Sequence, residues 1–383
     1  MKRFFRGIFN KIRYVWSIAS ITLLLLICIE ILSSLILAVV LTIENSGYDR
    51  RVNANAYIEQ DKLWLEDYYK EFHQQHISWE PYVYWRYTPY KGHYINIDEK
   101  GLRRTWNTGI SRRKRIFVFG GSTVWGTGVR DDFTIPSFIS RILSLEKGLN
   151  VEVINFGQSG YVTTQEIIAL LRLLQNGQIP DLVIFYDGIN DSFSAFQSRE
   201  AGIPQNEFNR YAEFNSGRSI LLSARNLIVN SATLRGMKEF MNRLKRKRII
   251  DESMSLSNNT SNFNKLLYDK VVEVYQANIR YANQIAREFK FKTLFYWQPT
   301  VFTKGDNKSS YEKVQELTMF EVRDEFLRVN KIIGKITHSN FTDLSNIFKD
   351  YKEPLYVDEF HLGEKGNELI ARCMVQDIVK LLE

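Results

Sequence analysis

Cysteine is nearly absent. The 383 residues hold two, Cys28 inside an apolar run and Cys373 in the last helical stretch. That excludes a cysteine-based metal site, argues against a disulfide framework and leaves the redox compartment unread. Histidine is scarce as well, with five copies: His73, His76, His93, His338 and His361. Chemistry that needs an imidazole therefore has few candidates. There is no internal repeat, no long low-complexity tract and no zinc-finger, RNP or helix-turn-helix pattern. The net charge of +8 and pI of about 9.2 come largely from local runs, so no nucleic-acid partner is expected. A chain that is 44% hydrophobic and 25% charged has the balance of an ordinary globular protein, with room for one large domain or two small ones.

Long apolar runs are not lacking. Lys2, Arg3, Arg6, Lys11 and Arg13 precede a run over 15–43, long enough for a hydrocarbon core of roughly 30 Å. It exceeds the ~7–15 residues of a signal-peptide core, and Leu41-Thr42-Ile43-Glu44 is no small-residue cleavage site. A lipoprotein cleavage at Cys28 fails because bulky Ile27 precedes it. The positive charges predict a cytoplasmic N-terminus (1–14), a membrane span (15–43) and an extracytoplasmic remainder. Glu30 lies mid-span, where a charged carboxylate costs on the order of 3 kcal/mol. Two readings stand: a protonated Glu tolerated among Leu and Ile, or a contact with another membrane helix.

Beyond the span, 44–112 reads as a juxtamembrane stalk and an aromatic segment. Helical spacing over Asn55–Phe72 predicts a stalk helix. Trp79-Glu80-Pro81-Tyr82-Val83-Tyr84-Trp85-Arg86-Tyr87 could stack on sugar rings, but packing against the following domain is favoured. From 113 to 383, short apolar runs alternate with helical patterns. Strands are predicted at Arg115–Phe119, Val151–Asn155, Asp181–Tyr186, Lys292–Trp297 and Phe341–Leu344. Helices are predicted at Asp131–Ser144, Thr163–Gln175, Phe263–Lys290, Tyr311–His338 and Gly363–Leu382. This alternation predicts a mostly parallel sheet covered on both faces. The stretch 192–262 looks like an insertion. Its basic run Arg243–Arg248 is read as a solvated face, with a lean onto anionic lipid as the alternative.

Two segments carry chemistry. Phe119-Gly120-Gly121-Ser122-Thr123 follows an apolar run and could present a serine hydroxyl on a strand-to-helix turn. Asp358-Glu359-Phe360-His361 precedes the final helical pattern, and its spacing lets Asp358 fold back onto the imidazole. A serine becomes a nucleophile only when a base takes its proton, usually a His oriented by a carboxylate. Between them, Gly160 follows the second strand, in Asn155-Phe156-Gly157-Gln158-Ser159-Gly160-Tyr161, and Asn190 follows the third, in Asp187-Gly188-Ile189-Asn190-Asp191. With the Ser122 N–H they could hold a developing oxyanion. Taken singly, Ser122 could be a helix N-cap, Gly160 a turn glycine, Asn190 a helix cap and Asp358–His361 a surface pair.

In this order the four segments resemble the SGNH/GDSL hydrolase family, named for its Ser, Gly, Asn and His. Ser122, Gly160, Asn190 and Asp358-x-x-His361 match the four blocks, over about 70% of the chain. One departure is Gly121, where the GDSL pattern has Asp. The resemblance implies a three-layer α/β/α fold with a flavodoxin-like sheet of about five parallel strands. It also implies a serine esterase with Ser122 as nucleophile, His361 as base and Asp358 as its orienter. Ser122, Gly160 and Asn190 form the implied oxyanion hole, and no metal or organic cofactor is expected. Location and resemblance make an O-acetylated cell-surface or exported glycan the first substrate expectation. Three rivals remain: an O-acyltransferase fed by a membrane acyl-donor partner, a non-catalytic glycan-binding or assembly protein, and a lipase acting on membrane lipids, which only the basic run favours.

Overall fold

A computed structural model describes residues 2–45, 49–57, 62–107, 114–216, 231–234, 236–237 and 261–382. The chain divides into two compact units: Met1–Tyr48 with Phe208–Asn259, and Asp49–Glu207 with Thr260–Glu383.

In the first unit, Lys2–Asn45 is one continuous helix, and Lys11–Val39 within it is long and apolar enough to cross a membrane, with a mean hydropathy of 2.6. Most of the described Leu, Ile and Val side chains of this stretch are exposed. Glu30 finds its partner within the same chain. Its carboxylate accepts the Thr233 hydroxyl at 2.7 Å, the Thr233 N–H at 3.3 Å and the Ala232 N–H, while Thr233 Oγ reaches Ser33 Oγ at 3.1 Å. The basic run Arg243–Arg248 lies outside the described residues.

In the second unit two small antiparallel hairpins follow a 3₁₀ turn (Arg50–Asn53) and a short helix (Leu65–His73). β1 (Ile77–Glu80) pairs with β2 (Tyr84–Tyr87), and β3 (Tyr90–Lys91) with β4 (Asn96–Ile97). Neither hairpin was expected from the sequence: the run of aromatics around β2 masks the period of two, and β3 and β4, of two residues each, are too short to show one. The aromatic segment mostly packs against the domain. Val83, Trp85 and Tyr87 are buried, and Trp85 Nε1 donates to the Ser159 carbonyl at 2.8 Å; Trp79 and Tyr82 stay exposed. The single stalk helix expected over Asn55–Phe72 is not found: the helix spans Leu65–His73. Trp64, Leu65, Tyr68 and Tyr69 pack with Trp125 and Val357, so this segment is part of the domain's own core. Its apolar spacing reflects that core contact.

The main sheet has five strands: β5 (Lys114–Gly120), β6 (Val151–Asn155), β7 (Leu182–Asp187), β8 (Lys292–Trp297) and β9 (Phe341–Asp343). Their order is β6-β5-β7-β8-β9, and every pair is parallel. Side chains alternate between the faces, so the sheet builds two cores. One face carries Ile116, Val118, Ile184 and Tyr296 with the C-terminal helix Glu364–Leu382. The other carries Phe117, Phe119, Phe185, Phe295 and Trp297 with the helices Thr163–Gln175 and Ser261–Phe289. Phe185 stacks on Phe119 and Phe295 across neighbouring strands, at 5.5 and 4.9 Å between ring centres. The architecture is the expected three-layer α/β/α fold. Two helical expectations change in detail. Asp131–Ser144 divides into a short 3₁₀ turn, an α-helix over Ile135–Arg141 and a π-helical end, and Tyr311–His338 divides at Met319 into Ser310–Thr318 and Phe320–Ile333.

Candidate active site

Ser122 opens a one-turn helix, Ser122–Trp125, directly after β5. The strand is buried from Ile116 onward, and two glycines then let the chain turn. The turn closes through Trp125 N–H to Gly121 O at 3.0 Å and Gly126 N–H to Ser122 O at 2.9 Å. Gly126 ends it at φ 100°, a left-handed conformation that glycine adopts without a Cβ penalty.

The turn is pinned by side chains that are distant in sequence. Asn155 Nδ2 donates to Val124 O at 3.0 Å. Buried Arg103 donates to the carbonyls of Trp125 (3.1 Å), Gly126 (2.6 Å) and Val129 (2.7 Å). It pairs with Asp131 at 2.9 Å and lies 4.4 Å over the Trp125 ring. Sequence reasoning missed Arg103, since a lone arginine carries no periodic signal. A Cβ on Gly157 would sit 2.3 Å from Trp125 N, so the loop after β6 approaches this turn backbone to backbone.

His361 lies against Ser122, with Nε2 2.7 Å from the hydroxyl oxygen. Its Nδ1 meets both Asp358 oxygens, at 2.8 and 2.7 Å. Asp358 Oδ1 also accepts the backbone N–H groups of Phe360 (3.0 Å) and His361 (2.8 Å). Burial alone would raise the Asp358 carboxyl. The facing His361, Arg51 and the backbone donor of Phe360 outweigh it and hold the group well below the usual carboxylate range. An ionised Asp358 accepts from Nδ1–H, which leaves Nε2 to accept the serine proton.

The loop carrying Asp358 is held by a buried ion pair. Lys304 Nζ contacts both Glu312 oxygens at 2.7 Å, and Glu312 also accepts from the N–H groups of Ser309, Leu355 and Tyr356 at 2.8, 2.9 and 3.2 Å. Burial raises the Glu312 carboxyl, but these donors and Lys304 bring it below its ordinary value.

Gly160 and Asn190 reach the same place. Both line a cavity of about 230 Å³ with Ser122, His361, Thr123 and Ser159. Gly160 adopts φ 78°, and a Cβ there would meet Gln205 Oε1 at 3.3 Å and the Trp85 ring at 3.4 Å. Asn190 Oδ1 accepts from Gln205 Nε2 at 3.4 Å, while its Nδ2 lies where a Cβ on Gly121 would fall, 2.1 Å away. The glycine that departs from the GDSL pattern is therefore the residue that lets the Asn190 amide approach Ser122's turn. Gln298 accepts the Thr123 hydroxyl at 2.9 Å and also lines the cavity, and Ile189, Phe193, Met319 and Phe360 supply apolar surface. Gln205, Gln298 and these apolar residues were not identified from the sequence, because they arrive from five separate segments. Among the described residues, no group of three or more His, Cys, Asp or Glu side chains is arranged to hold a metal ion.

A GDSL-like lipase/acylhydrolase family profile matches residues 116–374, which takes in all four motif segments. A search of curated proteins gives no significant match. Among solved structures, an acetyl xylan esterase aligns at 16% identity and a TM-score of 0.35, over 69% of this chain and 99% of its own. An acetylxylan esterase from Geobacillus stearothermophilus aligns at 15% and 0.35, over 71% and 95%. A gut microbial diltiazem-metabolizing enzyme aligns at 14% and 0.38, over 71% and 48%. With the match spanning well over half of the sequence, the chain belongs to the GDSL-like lipase/acylhydrolase family and is an ester-hydrolysing enzyme.

Proposed function

We propose that this acyl-ester hydrolase works through an acyl-enzyme on Ser122, and that it removes short O-acyl groups, acetyl first among them, from a glycan outside the cell membrane. The observation that carries the reading is the unbroken contact from Ser122 Oγ through His361 to Asp358, opening into one cavity with Gly160 and Asn190. His361 takes the serine proton as Oγ attacks the ester carbonyl. The negative charge that forms on the carbonyl oxygen faces the Ser122 and Gly160 N–H groups and the Asn190 amide. Donors of this kind are each worth about 3–4 kcal/mol in the transition state. As the intermediate collapses, His361 returns the proton to the leaving alcohol oxygen. The acylated serine is then attacked by water, with His361 again as base.

The cavity supports a short acyl group. It measures about 230 Å³, and Ile189, Phe193, Met319 and Phe360 give it an apolar lining that suits the methyl of an acetyl group. Anchoring is supported by the apolar helix, and an outward-facing catalytic unit by the five basic residues that precede its apolar core. The glycan is supported by that location together with the small acyl pocket.

The test uses the full chain in detergent, with p-nitrophenyl acetate and p-nitrophenyl octanoate. The acetate is expected to have a kcat/KM at least about tenfold higher, and Ser122→Ala to lower kcat by about 10⁶-fold, the scale of losing a triad nucleophile. A Ser122→Ala variant with undiminished turnover contradicts the mechanism. Adding a glycan acceptor and finding acyl-glycan formed faster than free acid would replace hydrolysis with transfer.

A further inference from the structure

Asp358 has a second charged neighbour. Arg51 Nη1 lies 3.7 Å from Asp358 Oδ2, beyond hydrogen-bond length but within ion-pair range. The guanidinium is held in place on its other sides. Its Nε and Nη2 fork onto Asp49 Oδ1 and Oδ2 at 3.0 and 2.8 Å, and the Arg51 backbone N–H donates to Asp49 Oδ1 at 3.0 Å. The rings of Tyr69 and Phe72 each lie 4.8 Å from its central carbon. Asp49 caps the 3₁₀ turn Arg50–Asn53 and meets His73 Nε2 at 3.0 Å. A bidentate carboxylate and two aromatic faces fix a planar cation far better than a contact with one partner.

We propose that Arg51, clamped by Asp49, is a positioning residue for the acid of the Ser122–His361–Asp358 triad: it holds the Asp358 carboxylate in register with His361 Nδ1 and sets the negative potential that the imidazole feels. This rests on the triad reading above. Arg51 acts in two ways. It keeps Asp358 ionised, and it offsets part of that charge, so His361 accepts a proton less readily than it would beside an isolated carboxylate. Asp49 in turn tempers Arg51. The other polar groups facing this cluster are Tyr311, whose hydroxyl donates to Val357 O at 2.8 Å; Glu359, which accepts the Thr318 hydroxyl; Tyr69; and His73 behind Asp49.

Charge tuning separates from mere packing by the sign of a shift. The acid limb of a kcat/KM profile reports the base that must be unprotonated in the free enzyme. With the full chain in detergent and p-nitrophenyl acetate, Arg51→Gln is expected to move that limb up by about 0.5–1 pH unit, the scale of removing one charge several ångströms away at an effective dielectric of ~20 or above. It should also lower the plateau by about tenfold, a cost on the scale of a misplaced orienting group. Asp49→Asn preserves the capping side chain but leaves Arg51 untempered, so its limb moves down, by about 0.3–0.5 unit. Two limbs that coincide with the wild type, or that move in the same direction, overturn the assignment. If Arg51→Gln does not fold, the direction of the Asp49→Asn shift decides alone. A Ser122→Ala control that keeps full activity defeats the triad reading itself. An inactive control with unshifted profiles defeats only the role of Arg51.

Discussion

Gly121 sits where any side chain would overlap the Asn190 amide, with a built Cβ 2.1 Å from Nδ2. A steric demand for glycine here therefore comes from the site. Gly121→Ala is expected to displace Asn190 and lower kcat by about 10²-fold, the scale of losing one oxyanion donor. Stability should barely change, because the obstructing atom is the end of a side chain that can swing away. Steady-state kinetics beside a melting curve checks this; an unchanged kcat removes Asn190 from the oxyanion hole. Ser122, Gly160, Asn190 and His361 were legible as candidates because each sits where an apolar run or helical pattern stops. Arg51, Arg103 and Gln205 were not. Each reaches the site through residues distant in sequence, and no local pattern marks such a contact.

At the scale of elements, the helix Thr163–Gln175, strand β7 and the helix Ile189–Ser198 meet around three buried carboxylates, Glu166, Asp187 and Asp191. Asp191 Oδ1 accepts the Thr163 N–H at 3.2 Å, tying the Gly160 loop to the Asn190 helix. Burial raises all three carboxyls. Glu166 and Asp187 are pushed well above their ordinary values, with the neighbouring carboxylates adding to burial, and Asp191 is pushed up to about 6. For acids raised by folding, the folded state holds protons that the unfolded state has released, so stability falls as pH rises above the unfolded value near 4. Asp358 works the other way, because its lowered value costs stability only as pH falls below about 4, outside the neutral range. Glu166→Gln removes one raised acid without changing its size. Its melting temperature should decline less than the wild type's between about pH 5 and pH 8, and lie above it at the upper end. Parallel curves would show that Glu166 titrates no differently in the folded chain. The sheet was legible at this scale because strands buried on both faces read as short, bounded apolar runs. The hairpins were not: Trp85 and Tyr87 of β2 pack on Tyr161, the Ser159 carbonyl and Trp125, and Ile97 of β4 joins the cluster around Trp125, all contacts remote in sequence.

On the scale of the whole molecule, the chain combines a family-typical hydrolase unit with a helix long and apolar enough to span a membrane, whose Glu30 is partnered by Thr233 of the same chain. The family membership establishes ester hydrolysis; the proposal adds which serine performs it and on which side of the membrane. The central claim is that Ser122 Oγ is the atom that bonds to the acyl group. The most direct measurement treats the full chain in detergent with a fluorophosphonate ester, which loses fluoride to an activated serine oxygen, and maps the adduct by peptide mass spectrometry. The account predicts one modified residue, Ser122, with hydrolysis of p-nitrophenyl acetate lost in step with labelling, and no label in His361→Ala. Hydrolysis abolished by an adduct on another residue, or undiminished with Ser122 fully modified, would contradict it.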